Sequence, residues 1–234
     1  MIVSVHQPNF LPWLGYFDKI LLSDTFVILD NVQFPRGKSV ANRNKIKTAN
    51  GILDIVVPLS KPKGNNGIVG YKEVFFSDKN WQLKVLKTLS FSYSKSPYYD
   101  IIFPFIEDVL YLDSFVNMNI TFISRLLDKF KIDTKIVLLS DLNTGLLRNN
   151  ELILEICNKV GADEYLSGVG AKKYNDDLLY QDRGIKLTYQ NYIHPQYNQT
   201  SMPFDAYLSI VDALFNLGFD GTSSLLKKRD KMTQ

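Results

Sequence analysis

The chain has 234 residues, 45% of them hydrophobic and 22% charged, with mean hydropathy −0.08 and a net charge of +3 from 27 basic and 24 acidic side chains. This composition excludes a largely disordered chain and supplies a core for one sizeable domain, with room for an insertion. No apolar run reaches the roughly 18–20 residues that span a bilayer, and MIVSVHQPNF lacks the basic-then-apolar profile of a secretion signal.

Strand, helix and strand follow one another within the first thirty residues. Ile2–Val5 is a short β-branched run, stopped by Pro8 and Pro12. Trp13, Leu14, Phe17, Ile20 and Leu21 then recur at helical spacing up to about Ser23, and Phe26–Leu29 is a second apolar strand. Such a crossover makes the two strands parallel. Asn42–Thr48 and Ile52–Pro58 flank Asn50-Gly51, a two-residue hairpin signal. The basic loop Lys61–Gly67 leads to a strand at Tyr71–Phe76, and Asn80–Lys131 carries three apolar helical faces.

Parallel strands resume at Lys135–Leu139. A helix over Asn149–Val160, a strand at Tyr165-Leu166, helical segments around Tyr180 and a strand at Ile185–Tyr189 follow. A helix over Tyr207–Leu217 then ends at Gly218. The expected fold is a single α/β domain over 1–234. It has a doubly wound, mostly parallel, Rossmann-like sheet, with an antiparallel hairpin and helical segment inserted at about 36–131.

Charge and cysteine narrow the partners. Basic residues are dispersed, without the stripe of a nucleic-acid binder, and Lys227-Lys228-Arg229 with Lys231 reads as a solvated tail. One cysteine, Cys157, excludes an intramolecular disulfide and points to an intracellular, cytoplasmic setting. Its neighbours Leu152, Ile153, Ile156 and Val160 mark it as a small core residue.

Ligands of open parallel sheets bind beyond the carboxyl ends of the strands, where strand order reverses. Three polar loops leave strands here. The first contains His6, Gln7, Asn9 and Tyr16, with His6 in a proline-stiffened loop as a candidate general base or donor to a phosphate, or else as a ring that caps local backbone. The second contains Asp30 and Asn31, with Arg36 and Arg43 further on as bidentate anion clamps, or as the solvated base of a hairpin. The third, Ser167-Gly168-Val169-Gly170, offers backbone amides to an anion. Gln190, His194 and Tyr197 lie in an amide- and phenol-rich stretch that suits either a polyhydroxyl ligand or self-packing. No metal-ligand spacing and no G-x-S-x-G serine motif are present.

The blocks HQPNFLPWLGYF (from His6), DNVQF (from Asp30), Asn42-Arg43-Asn44, Gly161-Ala162-Asp163, Ser167-Gly168-Val169-Gly170-Ala171 and His194-Pro195-Gln196-Tyr197 together resemble the WbqC-like protein family along almost the whole chain. The resemblance implies a bacterial cytoplasmic protein associated with O-antigen and other surface-polysaccharide genes. A remoter likeness links the opening to HIGH-type nucleotidylyltransferases and pantothenate-synthetase-like ligases. Their H-x-G-H block is replaced here by Trp13-Leu14-Gly15-Tyr16.

The resulting expectation is an enzyme acting on an amino sugar or nucleotide-linked sugar, by N-acyl or aminoacyl transfer. His6 is then the base, Ser167, Gly168 and Gly170 hold the donor anion, Arg36 and Arg43 neutralise charge, and Asp30, Asn31 and Tyr16 orient the acceptor. The alternatives are a non-catalytic nucleotide-sugar-binding partner of a glycosyltransferase and an ATP-dependent amide ligase. No cofactor and no oligomeric state follow from the sequence.

Overall fold

The computed structural model describes residues 1–35, 37, 39–62 and 69–228. Arg36, the Lys61–Gly67 loop from Lys63 onward, Arg229 and Lys231 lie outside the described residues. The chain forms two compact units. One comprises Met1–Pro8, Gly15–Val32 and Asp133–Ile193; the other comprises Asn9–Leu14, Gln33–Ile132 and His194–Gln234.

In the first unit, β1 (Ile2–His6), α1 (Leu14–Leu21) and β2 (Thr25–Ile28) form the expected β-α-β opening. Strands β7 (Lys135–Leu138), β8 (Glu164–Ser167) and β9 (Lys186–Tyr189) complete a five-stranded parallel sheet in the order β7-β2-β1-β8-β9. Sequence order runs outward from β1 through β2 to β7, then resumes on the other side of β1. The sheet is therefore doubly wound, and its order reverses between β1 and β8.

Alternation along β1 decides what each face meets. Val3 and Val5 point to one face and join Val27, Tyr165 and Tyr180 with Leu152, Ile156 and Cys157 of α5 (Asn149–Val160) in a buried cluster. Ser4 and His6 point to the other face, toward α1. There the Ser4 and Ser23 hydroxyls are 2.6 Å apart, and the His6 ring meets Tyr16 edge-on at 5.0 Å. Phe26 shares that face, with its ring 5.4 Å from Tyr16. Helices α1 and α5 thus cover opposite faces, and His6 belongs to the α1 side. Cys157 is fully buried, and burial pushes its thiol up to about 11, consistent with an inert core position.

The second unit holds the hairpin β3 (Arg43–Thr48) and β4 (Gly51–Val56), the short ladder of β5 (Leu59–Ser60) with β6 (Phe75–Phe76), and helices α2 (Trp81–Tyr93), α3 (Tyr99–Leu110), α4 (Phe115–Phe130) and α7 (Ile210–Lys227). Thr48 pairs with Gly51, so the hairpin turn is Ala49-Asn50, one residue earlier than the Asn50-Gly51 signal indicates. Gly51 still supplies a positive φ, 109°, as the first residue of the return strand.

Of the strand expected over Tyr71–Phe76, only Phe75-Phe76 joins a ladder, and Tyr71–Glu73 forms a 3₁₀ turn instead. The Glu73 carboxylate accepts from the Gly70 amide, and the Tyr71 ring is buried 4.9 Å from Phe34. These local contacts outcompete an extended run.

The last helix also differs from expectation. It starts at Ile210, after Ser209, whose hydroxyl accepts from the Val211 amide, and it does not end at Gly218. Gly218 is a kink with φ 70°, and a Cβ there would lie 2.6 Å from the Tyr98 ring, so only glycine lets the chain pass and resume helix. At its far end Lys227 is not a solvated side chain. Its ammonium donates to the Phe130 and Lys131 carbonyls at 2.6 and 3.1 Å, capping the end of α4.

A buried carboxylate organises this unit's interior. Asp212 accepts from the Tyr93 and Tyr197 hydroxyls, each at 2.8 Å, and from Gln199 Nε2 at 3.0 Å. The Tyr93 ring stacks on Phe215 with centroids 4.5 Å apart. Phe215 is fully buried, so Phe215→Ala removes both the stack and a large apolar volume. Urea titration is expected to show a loss of about 3–5 kcal/mol in unfolding free energy, as for aromatic-to-alanine changes in packed cores.

Candidate functional site

The carboxyl ends of β1 and β8 do not stay together. Pairing between β1 and β2 continues to His6–Ile28, whereas pairing between β1 and β8 covers only Ile2–Glu164 and Val3–Tyr165. Beyond that point the two strands no longer pair, at the place where sheet order reverses and where doubly wound sheets characteristically take their ligands; we call this strand-end region the notch. Successive carbonyls of a strand point to opposite sides. The His6 carbonyl accepts from the Leu29 amide at 2.9 Å on the β2 side, so the Val5 carbonyl faces the β8 side and the notch.

The partner of that carbonyl is a lysine. Lys19 Nζ donates to Val5 O at 2.8 Å, in the place where a β8 amide would otherwise donate. Lys19 is 4% exposed, and burial pushes its ammonium down to about 7. Its companions are the Phe26 ring, 6.0 Å from Nζ, and His6.

His6, the last residue of β1, donates from Nδ1 to the Gln7 carbonyl at 3.1 Å. A carbonyl can only accept, so the proton sits on Nδ1 and the lone pair on Nε2. Dehydration of the ring and, second, the neighbouring Lys19 charge push His6 down to about 3, although part of the residue stays exposed. The imidazole is therefore neutral throughout the physiological range. Tyr16, buried in α1, fixes the same carbonyl, its hydroxyl donating to Gln7 O at 3.2 Å.

The opposite wall begins with Ser167, fully buried at the end of β8 and accepting from Asn175 Nδ2 at 3.1 Å. Gly168 and Gly170 follow, with a 3₁₀ turn over Val169–Ala171. Neither glycine has a positive φ, and a Cβ on either would meet nothing within 4 Å. The fold's own packing does not call for glycine at these two positions.

Other residues singled out in the sequence sit elsewhere. Asp30 is fully buried at the end of β2, with its two carboxylate oxygens accepting from the amide and hydroxyl of Ser140 at 2.9 and 2.8 Å. It ties β2 to the turn after β7, and Asn31 beside it is exposed. Gln190 Nε2 donates to the Gly15 carbonyl at 2.9 Å and to Asp18 Oδ2 at 2.5 Å, which anchors α1. Tyr16 and Gly15 of the Trp13–Tyr16 block are thus engaged in internal bonds.

Asn9, Arg43, His194 and Tyr197 belong to the second unit. Asn9 is 4% exposed, and its Oδ1 has no hydrogen-bond partner among the described residues; the same holds for Arg43 Nε, while Arg43 Nη1 lies 3.8 Å from Asp54. His194 Nδ1 donates to the Pro195 carbonyl at 2.9 Å, its ring lies 5.2 Å from Tyr207 and 6.2 Å from Tyr197, and burial pushes it down from the usual histidine range. The Tyr197 hydroxyl is committed to Asp212.

Sequence reasoning missed Lys19. The available signal was the charged pair Asp18-Lys19 inside a short crossover helix whose residues Leu14–Ile20 are all buried. Among the described residues no group of three or more His, Cys, Asp or Glu side chains is placed to hold a metal ion, and no helix is long and apolar enough to cross a membrane.

Comparison with known proteins gives two matches. Residues 7–224 match the WbqC-like protein family. The uncharacterized protein Rv1507c of Mycobacterium tuberculosis (strain ATCC 25618 / H37Rv) is 28% identical over 230 residues, covering 95% of this chain and 96% of that protein. No solved structure matches significantly.

The depressed lysine has a stability consequence. Between about 7 and 10.5 the unfolded chain binds a proton at Lys19 that the folded chain does not, so stability rises with pH across that window. Lys19→Met is expected to flatten this rise, read as the pH dependence of the variant-minus-wild-type difference in thermal midpoint. For His6, depressed in the same sense, stability is lost as pH falls from about 6.5 toward about 3. Its Cε1 proton resonance is expected to stay flat between pH 5 and 8.

Proposed function

The chain belongs to the WbqC-like protein family, and on that premise we propose that it is an enzyme of bacterial surface-polysaccharide assembly that acylates or aminoacylates the amine of an amino sugar or nucleotide-linked sugar. The observation that carries the reading is the notch at the sheet's reversal point. A neutral imidazole with its lone pair on Nε2 lies at the end of β1, and an open glycine turn follows β8. In this reading the sugar amine attacks the acyl carbon, and a C–N bond forms. The nitrogen of that adduct carries an excess proton more acidic than that of a free ammonium, and Nε2 is the acceptor assigned to take it. Collapse of the adduct breaks the bond to the donor group, which leaves with its electron pair and receives the proton from His6.

Amides of the Gly168–Gly170 turn hold the donor's anionic group. Tyr16 acts through Gln7, holding the carbonyl that orients His6, and is a positioning residue. The groups of the second unit are assigned no part in this step.

A second reading, a non-catalytic nucleotide-sugar-binding partner of a glycosyltransferase, is favoured by how far His6 is held below the usual histidine range. The two readings separate in one experiment. Thermal shift with nucleotide-amino-sugars, acyl thioesters and ATP comes first. A ligand at a hundred times its Kd adds about 2.7 kcal/mol, a rise of roughly 5–10 °C for a chain of this size. Mass spectrometry of mixtures containing the stabilising ligands then looks for an N-acylated sugar.

The transfer reading expects that product, with His6→Ala lowering kcat/KM by about 10²–10⁴-fold. Full turnover by a folded His6→Ala variant would remove the base, and saturable binding without product would leave the binding partner. Stabilisation by ATP alone, with pyrophosphate released from a carboxylic acid, would move the assignment to amide ligation. Gly170→Val tests the wall of the notch, since its side chain meets open space and is expected to leave the thermal midpoint nearly unchanged while weakening the ligand shift.

A further inference from the structure

Lys19 has no part in the acyl transfer described above, yet its ammonium occupies the notch where that chemistry is placed. Of its three donors, one goes to Val5 O, and among the described residues no carboxylate lies within ion-pair distance of it. The groups around it can be named element by element. Strand β1 presents neutral His6, β2 presents the Phe26 ring, and β8 ends in Ser167. On its own helix, Tyr16 is turned to Gln7, and Asp18 is held by Gln190, which follows β9. A buried cation with one carbonyl for company is under-compensated, because removal from water costs more than a single neutral acceptor returns. Natural interiors tolerate such a charge where a ligand completes its shell.

We propose that Lys19 anchors an oxyanion of the ligand, a phosphate or a carboxylate group, in the notch between β1 and β8, and that a proton is taken up when this anion binds. The proposal rests on reading the notch as the binding site and adds to it the anchoring residue, the sign of the ligand's charge and the coupled proton. The proton follows from the same geometry. Burial with the Val5 carbonyl as acceptor pushes the Lys19 ammonium down toward neutrality, and an oxyanion on its remaining donors favours the charged form. His6 stays neutral and remains the acceptor at Nε2.

The test uses the intact protein at pH 8. Isothermal titration with inorganic pyrophosphate, and separately with acetate, is run in two buffers of different ionisation enthalpy, which counts protons exchanged per anion bound. The amide resonances of Gly168 and Gly170 report in parallel whether the notch is occupied. The expected result is uptake of about 0.5–1 proton per anion, with both glycine resonances shifting. In Lys19→Met the uptake disappears and affinity falls at least tenfold. Preference for pyrophosphate identifies a phosphate-bearing ligand, and preference for acetate a carboxylate.

If pyrophosphate shifts the glycine resonances without proton uptake and binds Lys19→Met equally well, the Lys19 assignment is overturned and the notch remains the site. Uptake that survives in Lys19→Met but is lost in His6→Gln also overturns it, assigning the proton to the imidazole. If neither anion nor any nucleotide-sugar shifts Gly168 or Gly170, the notch itself is not the site and both proposals fall. If the wild-type protein takes up no proton on binding acetate, which does not itself titrate near pH 8, the coupled proton is overturned even where the variant folds poorly.

Discussion

Strand β1 has to satisfy neighbours on both sides, and it does so unequally. On the β2 side its ladder runs to His6, the last residue of the strand; on the β8 side it stops at Val3. Backbone carbonyls removed from water need a donor, and the one left over, Val5 O, takes it from a side chain. That substitution brings a lysine from the crossover helix into the interior and sets it beside a histidine. The arrangement follows from a doubly wound sheet reversing direction at β1.

Two buried charges in this protein illustrate different states of satisfaction. Asp212 accepts from two tyrosine hydroxyls and a glutamine amide, and although burial pushes its carboxyl up, its oxygens are fully engaged. It reads as an organiser of the second unit's core, where a satisfied polar network makes one packing unique. Lys19 has one carbonyl and no counter-charge among the described residues. Half-satisfied polar groups are expensive in a core, and where a protein keeps one, function is the usual reason.

Glycines divide the same way. Gly218 is required by the fold, since its positive φ and the Tyr98 ring at 2.6 Å from a would-be Cβ leave no alternative. Gly168 and Gly170 have ordinary backbone angles and open space where a side chain would go. Their smallness faces outward from the protein and leaves a nearby group free access to the backbone at the end of β8.

Much of this was legible in the residues. The β-branched runs Ile2–Val5 and Phe26–Leu29, the proline stops and the helical spacing between them carry their meaning locally, because strand and helix periodicities are properties of a few consecutive residues. Chain order then implied a parallel, doubly wound sheet and put His6 and Ser167–Gly170 at strand ends. What was not legible is everything decided by which side a group faces and what it meets there. Nothing local shows that Asp30 bonds Ser140, that Gln190 bonds the start of α1, or that Lys227, read as solvated, caps α4. Lys19 looked like an ordinary helix charge and became the donor of a missing ladder bond. Local pattern carries no information about how Asp30 finds Ser140 or Gln190 finds Gly15, more than a hundred residues away, and the protonation states of His6 and Lys19 arise from how strand and helix pack together and from the water that packing excludes.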